Sequence, residues 1–145
     1  MKLSIFLLLA FINPGVNWLG NFQEAQIAAH AAHKLILINF SGSDWCGPCI
    51  RLRREILESK PFEDYAASHL LLVRADFPRQ KKNQLSKEQV RLNEALADKY
   101  NPEGKFPYTL LVDENGKVIK VWDGFPGGTP EKFVGEITAM EHDAQ

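Results

Sequence analysis

Cysteine is scarce in this chain, which has only two among its 145 residues. Two cysteines exclude a small scaffold held by several disulfides and a zinc site of four thiolates. The two signs of charge are nearly balanced, because the chain has 17 lysines and arginines and 18 aspartates and glutamates. The chain therefore has no broad positive field, and we predict no nucleic-acid partner. Ten glycines and eight prolines are too few for a low-complexity chain.

Long hydrophobic runs are missing as well. The run from Leu3 to Ile12 has about ten residues, which is too short to span a bilayer. It follows Lys2 and precedes Pro14-Gly15, an arrangement typical of a secretory signal. The alternative is a hydrophobic strand or helix of the domain, but Pro14-Gly15 stops a helix and the run has no regular period. We predict a signal peptide over residues 1–17 with no clear cleavage point, export to the periplasm or the medium, and no membrane span after processing.

The remaining chain has the composition of an ordinary globular domain, 45% hydrophobic and 24% charged. Continuous apolar runs at residues 35–38 and 70–73 predict strands that are covered on both faces. Residues 109–112 and 118–122 predict two further strands. Asn115-Gly116 lies between them, and this dipeptide is a strong signal for a β-hairpin.

Capping signals predict the helices. Asn21 with Glu24 and Ser86 with Gln89 have the spacing of a capping box, and Thr129 before Pro130 is typical of a helix start. Helices are predicted at residues 21–32, 46–57 and 61–68, after Ser86 and after Thr129, with an exposed polar loop at 76–85. This order predicts one α/β domain over residues 18–145, with a mixed central β-sheet and helices on both faces.

Both cysteines lie in one motif, Trp45-Cys46-Gly47-Pro48-Cys49, between a predicted strand and a predicted helix. The positive end of a helix stabilises a thiolate, and a cysteine three residues further on can reach the same sulfur. A purely structural disulfide normally closes a longer loop, and half a zinc site has no other cysteine to complete it. The motif therefore favours a redox-active pair over a structural bridge or a metal site.

The chain from Trp18 to its C-terminus resembles the thioredoxin superfamily. The resemblance rests on Phe40 and the motif at 45–49, then on Phe106-Pro107, the hairpin with Asn115-Gly116, and Gly124. The run from Phe40 to Cys46, Phe-Ser-Gly-Ser-Asp-Trp-Cys, is similar to exported bacterial thioredoxin-like proteins. The resemblance implies a thioredoxin fold without a cofactor or metal, in which Cys46 attacks substrate disulfides and Cys49 resolves the mixed disulfide.

The resemblance also implies the surroundings of the dithiol. Pro107 corresponds to the family's cis-proline, although most X-Pro bonds are trans. Because a proline has no N–H, the backbone of Phe106 before it is left free to pair with a substrate strand. We expect Trp45, Pro48, Phe106 and Phe125 to form an apolar rim for an extended peptide, with Gly47 in the motif loop. Ordinary partial burial is the alternative for Trp45 and Phe125.

The Gly47-Pro48 pair resembles the reducing members of the superfamily. We therefore expect a protein-disulfide reductase that acts on exported proteins and receives electrons from a membrane thiol reductase. Isomerase or oxidant activity and a redox-silent peptide-binding module remain as alternatives. We expect Cys46 to be exposed with a pKa below that of a free thiol, and Cys49 to lie one turn inside and stay mostly protonated.

One position departs from the family pattern. Thioredoxins usually carry a buried aspartate before the phenylalanine that ends the central strand, and its carboxylate helps to move the proton of the resolving cysteine. Here that position is Asn39, whose amide cannot accept a proton, so slow resolution by Cys49 is expected. Other polar side chains are interpreted as solvated helix surface: His30 and His33 in one helix, and Arg51, Arg53 and Arg54 in another.

Overall fold

Five strands form one mixed sheet in the computed structural model, which describes residues 15–143. The strands lie in the order β1-β3-β2-β4-β5. Strands β1 and β2 run parallel to β3, whereas β4 runs antiparallel to both β2 and β5. Their bounds are Trp18–Leu19 (β1), Leu35–Ser41 (β2), Leu70–Asp76 (β3), Tyr108–Val112 (β4) and Val118–Asp123 (β5). Residues 1–14 of the predicted signal peptide (1–17) lie outside the described part of the chain.

Side-chain caps start the helices where the sequence predicts them. Asn21 accepts the N–H groups of Gln23 and Glu24, and Ser86 accepts that of Gln89. Thr129 accepts the N–H of Lys132 at the start of the last helix. The helices are α1 Phe22–Ala32, α2 Gly47–Leu52, α3 Lys60–His69, α4 Lys87–Tyr100 and α5 Pro130–Asp143.

The two faces of the sheet have separate apolar cores, as the continuous apolar strands predict. Along β2, Ile36, Ile38 and Phe40 pack with α1 and α4, whereas Leu35 and Leu37 pack with α2, α3 and α5. Because side chains alternate along a strand, Asn39 points to the face that α2 covers. The fold is therefore the predicted thioredoxin fold, a mixed sheet between two helical layers.

The central strands extend beyond their apolar runs, and the motif helix is irregular. β2 continues through Asn39 to Ser41, polar residues that end the apolar pattern although they are buried. A π-helical turn at Arg53–Leu57 continues α2, where the sequence predicts a regular helix. The two-residue strand β1 was not predicted, because it is too short to carry an alternating pattern.

The sheet register brings distant parts of the sequence to one end of the sheet. Phe40 of β2 lies opposite Ala75 of β3 and Tyr108 of β4. The loop before α2 therefore starts beside Pro107 and beside the segment that follows β3.

Among the described residues, no helix is long and apolar enough to cross a membrane.

Candidate active site

The two cysteines lie at the start of α2 and are joined by a disulfide. Cys46 is the N-cap, with extended backbone, and its Sγ accepts the N–H of Cys49 at 3.3 Å. Helical backbone then runs without interruption through Leu57, so the first sulfur lies at the positive end of a helix. This position stabilises a thiolate on Cys46 once the disulfide is reduced.

Cys49 lies deeper, and its sulfur also faces a main-chain donor. The N–H of Gly42 lies 3.5 Å from the Cys49 Sγ. Cys49 is 3% exposed and Cys46 is 6% exposed. The expectation of an exposed Cys46 is therefore wrong for the oxidised form, because the bond to Cys49 holds its sulfur against the first helical turn. Gly47 and Pro48 are the exposed residues of the motif.

Pro107 lies directly before β4, and the Phe106–Pro107 peptide bond is cis, as the resemblance implies. The proline is buried, and its carbonyl accepts the N–H of Gly124 at 2.9 Å. Within the described part of the chain, neither the N–H nor the carbonyl of Phe106 is hydrogen-bonded. The main chain of Phe106 is thus available to pair with an extended segment.

An aromatic cluster borders this main-chain edge. The ring of Phe106 contacts those of Trp45 and Phe77 edge to face, with centroids 5.5 Å and 5.4 Å apart. The indole N–H of Trp45 donates to the carbonyl of Phe77 at 2.7 Å. Gly42 lies under the indole, and a Cβ at that position would overlap the ring. The structure therefore brings Trp45 and Phe106 together and adds Phe77, which the sequence analysis placed in an exposed loop.

The other two predicted rim residues lie on α2 and after β5. Pro48 is exposed on the first turn of α2. Phe125 packs at the edge of the core shared with α2, α3 and α5, and the guanidinium of Arg51 lies 4.3 Å from its ring centroid. Phe125 is thus partly buried, and its place in the substrate rim stays a prediction.

The carboxylate of Asp44 ties the segment after β3 to the motif loop. It accepts the backbone N–H groups of Arg79 and Gln80, both at 2.9 Å, and the side-chain amide of Asn83 at 3.0 Å. These donors, that of Arg79 above all, hold the pKa of Asp44 below its usual value. This role of Asp44 has no local signal in the sequence, because Asp44 and its partners are about 35 positions apart in the chain.

Asn39 is buried on β2 and is 3% exposed. Its side-chain N–H donates to the hydroxyl of Thr109 on β4 at 3.1 Å. The nearby carboxylates face elsewhere: Asp44 binds the segment after β3, and Glu55 pairs with Arg51 on the exposed side of the helix. Asn39 is thus a buried, hydrogen-bonded polar residue near the end of β2.

His30 of α1 and His33, the C-cap of that helix, lie at the opposite end of the sheet, where both face Glu114. The distances from His30 and His33 to its carboxylate are 3.6 Å and 3.7 Å. Among residues 15–143, no group of three potential metal-ligating side chains occurs. The pair is therefore a partly exposed charge cluster remote from the dithiol.

Comparison with known proteins supports the thioredoxin fold described above. Residues 22–140 match the model of a family described as a thioredoxin-like domain. The disulfide bond reductase DsbH of Chlamydia pneumoniae is 37% identical over 108 residues, which are 74% of this chain and 63% of that protein. This chain thus spans less than two thirds of that relative's length.

Solved structures agree with the fold. A structure of a DsbH oxidoreductase superposes with a TM-score of 0.79 at 28% identity, over 98% of this chain and 95% of that one. A poplar thioredoxin h superposes with a TM-score of 0.60 at 18% identity, over 88% and 96% of the two chains. The second likeness shows the fold alone.

Proposed function

This chain belongs to the thioredoxin-like family, and on that premise we propose that it is a thiol–disulfide oxidoreductase that reduces disulfides of exported proteins. The observation that carries the proposal is the Cys46–Cys49 disulfide at a helix start, in a motif whose Trp45 contacts Phe106. A dithiol that closes into such a small ring can pass two electrons to a substrate and be regenerated. The name of the relative DsbH, a disulfide bond reductase, supports the same direction.

The reaction has two exchange steps. The Cys46 thiolate attacks one sulfur of the substrate disulfide, that bond breaks, and the other substrate sulfur leaves as a thiolate and takes up a proton. The Cys49 thiolate then attacks the Cys46 sulfur and releases the second substrate thiol. Two electrons pass to the substrate, and the protein ends with the Cys46–Cys49 bond present in this structure.

The main chain around the sulfurs supports both steps. The Cys49 N–H and the helix start stabilise a thiolate on Cys46, which favours it as the attacking group. The Gly42 N–H faces the Cys49 sulfur and stabilises negative charge there during resolution. The free main chain of Phe106 holds the substrate as an extended strand, with Trp45 beside it.

Reduction rather than oxidation is proposed because Gly47-Pro48 resembles the reducing members of the superfamily. Each turnover leaves the protein oxidised, so a dithiol donor must reduce it again. We propose a membrane thiol reductase as that donor, since the predicted signal peptide at residues 1–17 directs the chain out of the cytoplasm.

Protein cleaved near position 17 and recovered outside the cytoplasm is expected in cell fractions. Full-length protein in the cytoplasm would contradict export.

A trapping experiment tests the proposed roles of the cysteines. In Cys49→Ser the mixed disulfide on Cys46 cannot be resolved, so substrates stay bound until a reductant is added. The matched control is Cys46→Ser, which lacks the attacking sulfur and should trap nothing. Equal trapping by both variants would overturn the assignment. Binding of peptides by both variants without a covalent bond would support the redox-silent module instead.

A further inference from the structure

The segment from Phe77 to Leu85, which we call the basic segment, lies beside the dithiol. It contains Arg79, Lys81 and Lys82 and no acidic residue, although the whole chain has a net charge of −1. All three cationic side chains are exposed. Within residues 15–143, none of the three forms an ion pair with a carboxylate. Positive charge is thus concentrated in this segment and is not paired with carboxylates.

Several hydrogen bonds fix the basic segment to the motif. Its first residue, Phe77, donates its N–H to the carbonyl of Ser41 at 2.8 Å and accepts the indole N–H of Trp45. Three donors of the segment converge on the carboxylate of Asp44. An exposed loop that only connected β3 to α4 would not need these contacts. The segment is therefore held at a defined position relative to Cys46.

The guanidinium of Arg79 lies over the indole of Trp45, with its central carbon 3.6 Å from the ring centroid. This cation–π contact places a permanent positive charge on Trp45, the residue that directly precedes the attacking Cys46. On the other side of the motif, Arg51 is already paired with Glu55. The carboxylate of Asp44 accepts three hydrogen bonds from the segment and offsets one of its three positive charges. The segment and Asp44 together therefore present a positive charge to an incoming peptide.

We propose that the basic segment selects substrates, favouring extended peptides in which acidic side chains flank the disulfide-bonded cysteine. The inference rests on the proposed function and names the substrate class of the same site. A peptide strand paired with Phe106 would lie next to Trp45, whose indole carries Arg79, and the two lysines follow Arg79 in the same segment. Complementary charge raises the rate of productive encounter more than it raises affinity.

Stopped-flow kinetics with two peptide disulfides test the proposal. The peptides are identical except that two glutamates or two lysines flank the cysteine. At low salt we expect the reduced protein to attack the acidic peptide roughly tenfold faster than the basic peptide. The ratio should approach one in about 1 M salt, where the screening length falls to about 3 Å.

Charge reversal locates the effect. The double substitution Lys81→Glu and Lys82→Glu should abolish or invert the rate ratio. The matched control, Lys34→Glu with Lys117→Glu, changes the net charge equally at the opposite end of the sheet and should keep the ratio. An unchanged ratio in the first variant, or equal rates for both peptides with the wild type, would overturn the proposal.

A neutral small disulfide separates this test from that of the proposed function. If the wild-type dithiol reduces it but does not distinguish the two peptides, the selectivity is refuted and the oxidoreductase function stands. If it does not react with any disulfide, the proposed function itself fails. Binding of the basic segment to vesicles of anionic lipid, without a peptide preference, would also overturn the proposal and assign the charge to a membrane surface.

Discussion

The two sulfur atoms differ in their immediate neighbours. Cys46 lies at the helix start and accepts an N–H from the following turn, whereas Cys49 lies inside that turn and accepts the N–H of Gly42. The helix start favours the charged form of the first sulfur, and burial disfavours the charged form of the second. The difference between the thiols therefore follows from their positions rather than from the residue type.

We expect this difference to appear as unequal alkylation of the reduced protein. At pH 7 Cys46 should react with iodoacetamide roughly tenfold faster than Cys49, because the helix start favours a thiolate on Cys46 whereas Cys49 lies inside the turn. Peptide mass mapping over a pH series measures both rates. Equal rates at the two cysteines, or no reaction below pH 8, would contradict the assigned roles.

Asn39 supplies a second prediction at this scale. Asn39→Asp places a carboxyl on the buried face next to Thr109, on the side of the sheet that carries α2. The family resemblance implies that a carboxylate at this position accepts the proton of Cys49, so resolution of the mixed disulfide should become faster while alkylation of Cys46 changes little. Burial raises the pKa of the new carboxyl, so the substitution costs roughly 1–3 kcal/mol of stability at neutral pH and less in acid.

The matched control is Asn39→Leu, which keeps the branching and number of side-chain heavy atoms but has no proton acceptor, and which should not accelerate resolution. Stopped-flow measurement on a model protein disulfide separates attack from resolution. If Asn39→Asp leaves the resolution rate unchanged, Asn39 is only a hydrogen-bonded polar residue at the end of β2, and the proposed slow resolution is wrong.

The elements differ in how far their sequence predicts them. The caps at Asn21, Ser86 and Thr129 and the hairpin at Asn115-Gly116 were predicted, because each depends on residues within one turn of the chain. The cis-Pro107 was implied only by the resemblance. The contacts of Phe77 and Asp44 were missed, because they join segments that only the sheet register brings together. The π-helical turn has no local sequence signal.

Packing of the motif loop against Trp45 gives a prediction for the loop before α2. Gly42→Ala puts a methyl group into the indole ring, which must move, so we expect a loss of roughly 1–3 kcal/mol in the free energy of unfolding. Gly47→Ala is the matched control, because a Cβ there meets open space and helix propensity favours alanine. Urea unfolding of the oxidised proteins measures both. Equal stability of the two variants would contradict the packing described here.

The attachment of the basic segment to Asp44 is tested by hydrogen exchange. Asp44→Ala removes the acceptor of the Arg79 and Gln80 amides, which should then exchange faster at pH 7. In the wild type, the lowered pKa of Asp44 means that its contribution is complete above the ordinary value of 3.8 and is lost only as the pH falls through the lower, folded value. Protection should therefore persist at pH 5.

Asp64→Ala is the control for that experiment, because Asp64 only pairs with Lys60 on the exposed side of α3. It should leave the exchange of the Arg79 and Gln80 amides unchanged. Unchanged exchange in Asp44→Ala would show that the segment is held by Trp45 alone.

At the scale of the whole molecule, the fold positions one small dithiol and leaves the surface around it to choose substrates. The two apolar cores fix the sheet, and the sheet brings the motif, Pro107 and the segment after β3 to one end. The scarcity of cysteine predicted from the outset that any redox chemistry would belong to Cys46 and Cys49. The direction of electron flow, however, is a property of the relative stability of the oxidised and reduced forms.

The standard reduction potential of the Cys46–Cys49 pair tests the proposed direction most directly. The protein is equilibrated with mixtures of reduced and oxidised dithiothreitol, free thiols are alkylated, and the oxidised fraction is read by mass. A reductase with the Gly47-Pro48 pair should have a potential near that of thioredoxin, roughly −270 mV. A potential near that of the strong oxidants, about −120 mV, would contradict the proposal that this protein reduces its substrates.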